Sequence, residues 1–184
     1  MGTKVVLAAL QCIPFAFTFA QTPSKWCDYK PRTVMEISAH AHVGDSADIT
    51  MSGGQFPSRV TMRYTGNVRF LSLDQRRFLR DYFTKFFQMS GADTLFRHEV
   101  EFSSSGDSTL WLPIQETMFA DFQSEMQRGD TSTLFLLWAG SYRPAFYDST
   151  AAAAHAPREH VLLINEFTSG RTRDNWNLEL GSCN

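Results

Sequence analysis

Two histidines separated by one residue, His40 and His42, are the first residues of this chain whose type and spacing permit chemistry. Residues 33–43 alternate in polarity, which predicts a β-strand on which side chains two positions apart point the same way. Two imidazoles on one strand face can share a divalent metal if a further ligand completes the site. The candidates for that ligand are His98, His155, His160, Glu36 and Glu159. The competing interpretation is that the histidine pair is ordinary polar surface.

Carboxylate pairs are the second source of chemistry. Glu99 and Glu101 lie two positions apart on a predicted strand, and Glu116 precedes Asp121 and Glu125 on a predicted helix. Two carboxyl groups about 5 to 10 Å apart across a cleft can hydrolyse a glycosidic bond. Nearly every secreted domain contains such pairs, and neither a nucleophile elbow nor a phosphate-binding glycine loop accompanies them. The sequence therefore offers a hydrolase only as the alternative to a non-enzymatic domain.

The stretch 140–158 is the candidate for contact with a partner. A connection this long without a clear element is often a binding loop. Tyrosine and arginine are residue types that carry much of the binding energy in protein interfaces. The candidate contact residues are Tyr142, Arg143, Phe146 and Tyr147. The competing interpretations are a flexible insertion or a short helix over residues 150–155.

Residues 1–20 have the layout of a secretory signal peptide. Lys4 precedes an apolar run over 5–19, and the small residue Ala20 stands before a polar segment. A run of about fifteen residues is short for a membrane span, which needs roughly twenty. Cleavage after Ala20 would leave residues 21–184 as a single globular domain without a transmembrane segment. The predicted location is therefore secreted or periplasmic.

Export would also set the charge and the redox state of the mature chain. Loss of Lys4 leaves 16 basic and 19 acidic residues, a formal charge of −3. Such a surface has no general attraction for nucleic acid or anionic lipid. Loss of Cys12 leaves Cys27 and Cys183, which are predicted to form one disulfide in an oxidising compartment. In the chain-entropy model, a disulfide that closes the long loop between these two cysteines contributes about 5 kcal/mol to stability.

Hydrophobic periodicity predicts two helices and seven strands. The clearer helix covers 73–90, where Ser72 and Gln75 form a capping box and aromatic pairs repeat every four residues. A second helix is predicted over 115–128, and Gly66-Asn67 is predicted to be a turn. The predicted strands cover 33–43, 47–51, 58–65, 95–102, 109–113, 131–138 and 159–167.

This order of elements, joined by hairpin-length connections, predicts an α+β domain. Its sheet should be mainly antiparallel, bent or partly closed, with two packed helices; a small β-barrel with inserted helices is the runner-up. We expect a secreted, non-enzymatic binding or scaffolding domain of bacterial type. Its partner would be an unknown extracytoplasmic protein or glycan and not nucleic acid. No cofactor is required unless His40 and His42 hold a divalent metal, and a small extracellular hydrolase is the alternative function.

Overall fold

The computed structural model describes residues 27–41, 47–53, 56–89, 91, 94–104, 109–150, 153 and 155–169. Within these ranges the chain forms three α-helices and one seven-stranded mixed sheet. The helices are α1 (Val34–Ala41), α2 (Leu73–Phe87) and α3 (Glu116–Glu125). The strands are β1 (Lys30–Pro31), β2 (Ile49–Met51), β3 (Ser58–Phe70), β4 (Phe96–Ser103), β5 (Thr109–Gln115), β6 (Thr131–Tyr142) and β7 (Glu159–Phe167). The α+β class is confirmed, with three helices in place of the expected two.

Five of the strands close on themselves through hydrogen bonds. The sheet order is β1-β3-β4-β5-β7-β6-β2, and a further pairing of β3 with β6 completes a ring. Pairing within the ring is antiparallel except between β5 and β7, which run parallel and meet at Ile114 and Ile164. The short strands β1 and β2 add to β3 and β6 outside the ring. The sheet is thus mainly antiparallel and partly closed, as the sequence predicted.

Strand β3 makes the closure possible because it belongs to two pairings. Its first half, Ser58 to Arg63, pairs with β6, and its second half, as far as Phe70, pairs with β4. The register shifts between Tyr64 and Val68, where Gly66 has φ +90°. A bulge of this kind bends a strand and increases its twist. The predicted turn at Gly66-Asn67 is wrong, because the chain continues here as one strand.

Two hydrophobic clusters hold the layers together. The larger cluster draws on all five ring strands, on Phe122 of α3 and on Ile37 of α1, so it fills the ring. The second cluster packs α2 against the other face of β4, β6 and β7. Its centre is aromatic, with Phe78 of α2 stacked 5.3 Å from Tyr142 of β6. The aromatic face of α2 therefore packs into the core, as expected for one of the two packed helices.

The prediction of a strand over 33–43 was wrong, because α1 occupies this segment. The backbone N–H and hydroxyl of Thr33 both donate to the Glu36 carboxylate, and the Glu36 N–H donates to the Thr33 hydroxyl. This reciprocal pair is a capping box, which satisfies the free N–H groups at a helix start. The same hydrogen bonds hold the pKa of Glu36 below its usual range. Polarity alternation over these residues was a weaker signal than the Thr-x-x-Glu start.

The stretch 140–158 is also more ordered than expected. Strand β6 continues to Tyr142, and a short 3₁₀ helix, Pro144–Phe146, follows at once. The end of α2 also differs from the prediction, because the helix stops at Phe87 with Gln88 in the left-handed conformation, before Gly91. Each boundary differs from the sequence prediction by a few residues, which is where hydrophobic periodicity carries least information.

Replacing Gly140 by alanine should destabilise the domain. Gly140 has φ +142°, and a Cβ atom there would lie 2.0 Å from the carbonyl oxygen of Thr50. Overpacking and the strained backbone together should cost at least about 2 to 3 kcal/mol. Urea denaturation of Gly140→Ala measures this cost. Gly91→Ala is the matched control, because Gly91 also has positive φ but has open space around its Cβ position. Equal losses in the two variants would show that the approach of β2 is not the constraint.

Candidate functional site

A cleft of about 590 Å³ lies where β3 ends and α2 begins. It is lined by Phe70, Leu71, Arg76, Thr94 and Arg97, and we call it the Phe70 cleft. Strand pairing brings its walls together, because Phe70 is opposite His98 in the β3–β4 register. The Leu71 N–H donates to the Arg97 carbonyl at 2.9 Å, which fixes the two walls at the mouth of the cleft.

A buried carboxylate joins α2 to the strands beneath it. Glu99 of β4 is fully buried, and its oxygens accept hydrogen bonds from Arg69 and, at 3.0 Å, from the Gln75 side-chain amide. Gln75 also accepts from the Ser72 N–H at 3.0 Å, while the Ser72 hydroxyl accepts from the Gln75 N–H at 3.1 Å. The capping box predicted from the sequence is therefore confirmed and is bonded to the sheet. Arg69 continues outward and stacks 4.0 Å from the ring centroid of Trp111.

The aromatic wall of the cleft is exposed but held in place. Phe70 is 75% exposed, and its ring lies 4.8 Å from the ring of His98. His98 in turn stacks on Phe119 of α3 at 4.2 Å. The His98 Nδ1 lies 2.8 Å from a Glu116 oxygen that also accepts the Arg97 N–H. This carboxylate fixes the imidazole and the strand that carries Arg97.

The Phe70 cleft also contains two positively charged side chains. Arg76 and Arg97 are both exposed, and neither forms an ion pair within the described part of the chain. Neighbouring arginines differ, since Arg69, Arg77 and Arg80 each meet a carboxylate. Guanidinium groups bind carboxylate, phosphate and sulfate oxygens through paired hydrogen bonds. The Phe70 cleft can therefore take an anionic group that has an apolar portion beside it.

A second cleft of about 440 Å³ lies on the other flank of the α2 start. It is lined by Leu73, Asp74, Arg77, Tyr147, Asp148 and Ser149, and we call it the Leu73 cleft. Its far wall is pinned to α2, since Arg77 donates to the Tyr147 carbonyl at 2.8 Å and the Tyr147 hydroxyl donates to Asp81 at 3.1 Å. Burial raises the pKa of Tyr147 above its usual range, and the negative charge of Asp81 raises it further. Tyr147 therefore stays a neutral hydrogen-bond donor.

The four predicted contact residues of 140–158 fall in different environments. Tyr142 is fully buried in β6, and its hydroxyl donates to Glu159 at 2.6 Å. Arg143 is exposed, and Phe146 is 49% exposed. Tyr147 is half-buried and lines the Leu73 cleft. Of the two clefts described above, the Leu73 cleft contains Tyr147, and contact through Arg143 or Phe146 stays a prediction.

Only His40 of the predicted metal pair lies among the described residues. His40 lies near the end of α1 and not on the strand that the metal prediction assumed. Its ring is stacked 3.6 Å from Phe56 and lies edge-on to Trp138 at 5.4 Å. His42 lies outside the described residues, and no group of three or more potential metal ligands is found within the described ranges. Metal binding by His40 and His42 stays an untested prediction.

The carboxylates and cysteines have separate outcomes. Glu99 is enclosed as described above, and Glu101 accepts hydrogen bonds from Asn67 and Thr65 at 2.7 Å each. These bonds hold the pKa of Glu101 below its usual range, Asn67 having the larger effect. Cys27 lies within the described residues and Cys183 outside them, so their pairing stays a prediction.

Comparison with protein-family models, with curated proteins and with solved structures finds no match for this chain. Among the described residues, no helix has the length and apolar character needed to cross a membrane.

None of the residues that line the Phe70 cleft was predicted from the sequence as a site residue. Arg76 and Arg97 lie among the charged residues of a predicted helix and a predicted strand, where arginines are ordinary surface residues. An available signal was Phe70, an aromatic residue two positions before the Ser72 capping box. Its exposure depends on the β3–β4 register, which the sequence pattern does not contain.

Replacing Gln75 by alanine should loosen the start of α2. The change removes the hydrogen bond to the buried Glu99 carboxylate and the bond that caps the Ser72 N–H. Loss of a bond to a buried charged group and of a cap should lower the free energy of unfolding by about 1 to 3 kcal/mol. Urea denaturation of Gln75→Ala measures the loss, and Gln123→Ala on the exposed side of α3 is the control. A loss no larger than in the control would contradict a joining role for Gln75.

Proposed function

We propose that this chain is a secreted or periplasmic, non-enzymatic binding domain. It holds an extracytoplasmic protein or glycan by an acidic group of that ligand, which enters the Phe70 cleft. The observation that carries the proposal is the presence of two exposed arginines, Arg76 and Arg97, without acidic partners in the described chain, beside an aromatic side chain that is 75% exposed.

Charge supports a binding role for the arginine pair. Two guanidinium groups on adjoining walls repel each other, and an anion between them removes that repulsion. The walls are already fixed by the Leu71–Arg97 backbone bond and by the Glu116 carboxylate. A site that is rigid before binding loses little conformational entropy when the ligand arrives. The weakly acidic chain as a whole has a local basic position at this cleft.

The exposed apolar surface of Phe70 also supports a binding role for this cleft. An exposed phenylalanine keeps its ring in water, and covering it gains roughly 2 to 3 kcal/mol. The ring is braced by His98, so a ligand meets a surface of fixed orientation. Aromatic and arginine side chains in such positions dominate the binding energy of many interfaces.

The chemistry of Glu99 and Glu101 argues against the hydrolase built on that pair. A pair of catalytic carboxyl groups must face a substrate across a cleft. Glu99 is instead buried with hydrogen bonds to both oxygens, and Glu101 is bonded to Thr65 and Asn67. Neither carboxylate lines the Phe70 cleft.

Export belongs to the proposal and rests on the sequence of residues 1–20, which lie outside the described residues. The apolar run with Lys4 before it and Ala20 after it supports cleavage by a signal peptidase. N-terminal sequencing of the protein recovered from the native cell envelope or medium is expected to begin at Gln21. A chain that begins at Met1 in the cytosol would overturn this part of the proposal.

Phenylacetate is a suitable probe of the Phe70 cleft because it combines an apolar ring with a carboxylate. We expect phenylacetate to shift the amide NMR signals of Thr94 and Arg97, with weak saturable binding, and neutral phenylacetamide to bind at least about fivefold more weakly. Arg97→Gln should remove the preference for the acid, and Phe70→Ala should weaken both probes.

The controls for this titration are Arg63→Gln and Met35→Ala, which change an exposed arginine and an exposed apolar residue elsewhere. Both should bind phenylacetate as the unmodified protein does. Equal binding of the acid and the amide, or equal effects of Arg63→Gln and Arg97→Gln, would count against the Phe70 cleft as the site.

A further inference from the structure

The first turn of α2 has a cleft on each flank and an exposed apolar side chain between them. On a helix with 100° per residue, Leu73 lies opposite the buried residues Gln75, Phe78 and Leu79, and it is 55% exposed. Arg76 points to one side of Leu73, towards the Phe70 cleft. Asp74 points to the other side, towards the Leu73 cleft. The two clefts are thus halves of one surface that crosses the helix.

The two flanks differ in charge. The Phe70 cleft has two arginines and no carboxylate among its lining residues. The Leu73 cleft has two carboxylates, Asp74 and Asp148, against the single Arg77, which lies 3.4 Å from Asp74 and donates to the Tyr147 carbonyl. Its net charge is therefore −1. A ligand that complements the whole surface is negative at one end, apolar in the middle and positive at the other end.

We propose that the ligand of this domain is an extended polypeptide segment with an acidic side chain, a central apolar side chain and a basic side chain. This inference rests on the proposed function and names its ligand class. The acidic group binds Arg76 and Arg97, the apolar side chain covers Leu73 and Phe70, and the basic group lies against Asp74 and Asp148. A polypeptide offers all three groups in one chain, whereas an acidic glycan offers anions and hydroxyls without a cation.

The width of the helix sets the spacing of the two charges. An α-helix with its side chains is about 10 Å across, and an extended chain advances about 3.3 Å per residue. The acidic and basic residues are therefore about three to four positions apart. Charge complementarity of this kind contributes more to the orientation of the segment than to its affinity.

Five-residue peptides with blocked ends test the inference on the full mature chain. The parent peptide has Glu at position 1, Leu at 3 and Lys at 5 with serine between, and its reversed sequence is tested beside it. NMR titration is expected to show that one of the two binds best. Replacing its lysine by norleucine should weaken binding about two- to fivefold, and replacing its glutamate by glutamine should weaken it at least as much.

Protein variants assign each charge to its cleft. Asp74→Asn should abolish the difference between lysine and norleucine and keep the difference between glutamate and glutamine. Arg97→Gln should do the reverse, and Asp121→Asn, an exposed acid on α3, should change neither. Circular dichroism melting of each variant checks that the domain remains folded.

The outcomes separate this inference from the proposed function. Equal binding of the lysine and norleucine peptides, with the glutamate preference intact, overturns the polypeptide inference and leaves the acid-binding function standing. Tighter, Arg97-dependent binding of a tetrasaccharide of glucuronate and N-acetylglucosamine overturns the ligand class in favour of a glycan. Binding of every probe without dependence on Arg97 overturns both proposals.

Discussion

The buried carboxylate of Glu99 is the constraint on which the arrangement of this domain depends. An ionised carboxylate removed from water must be paired and hydrogen-bonded, or it costs several kcal/mol. Glu99 meets this requirement through Arg69 of β3 and Gln75 of α2. Because Gln75 also caps the helix at Ser72, the angle at which α2 leaves the sheet is fixed by one set of polar contacts. The hydrophobic cluster beneath α2 then sets how closely the helix packs, but not where it begins.

The candidate site surrounds this polar set. Phe70 follows Arg69, Arg76 follows Gln75, and Arg97 lies two residues before Glu99 on the same strand. The residues that hold the structure are therefore interleaved with those that face solvent. A change that disturbs the pairing of Glu99 moves all three cleft side chains together, because their backbone positions are neighbours of the bonded ones. The stability of the α2 start and the positions of the cleft side chains are thus coupled.

Ring closure explains why Phe70 is exposed. The bulge at Gly66 lets β3 leave β6 and continue along β4 alone, so its last residues extend past the part of the ring that β6 covers. Phe70 lies at the end of this extension, with His98 as its strand neighbour and Phe119 beyond it. Its environment is therefore set by β4 and α3, which lie far from Phe70 in the sequence.

The elements with strong local signals were predictable from the sequence, and those that depend on tertiary pairing were not. The capping box at Ser72 and the apolar run of β7 were identified, and the predicted bounds of β7 agree with the structure. The same kind of box at Thr33 and Glu36 was overlooked, because alternating polarity suggested a strand. The burial of Glu99 could not be predicted, since nothing in the sequence of β4 shows that Arg69 and Gln75 will cover it. Prediction of the cleft failed for the same reason, because its walls meet only after β3 and β4 have paired.

The Phe70 cleft is distinguished by its charge as well as by its shape, because its two arginines differ from their neighbours in lacking ion pairs within the described chain. Arg69, Arg77 and Arg80 lie within a few residues of Arg76, and each reaches a carboxylate. Acidic residues that can pair with arginine are therefore present near α2, and two of them, Asp74 and Asp81, lie on the helix itself. Arg76 points away from these acids because the 100° turn per residue carries it to the flank that faces Arg97. The arginines beside these acids thus form ion pairs. Among the described residues Arg76 of α2 and Arg97 of β4 form none, and both line the Phe70 cleft. This arrangement follows from the fixed start of α2, so the geometry that satisfies Glu99 also creates the unneutralised pair.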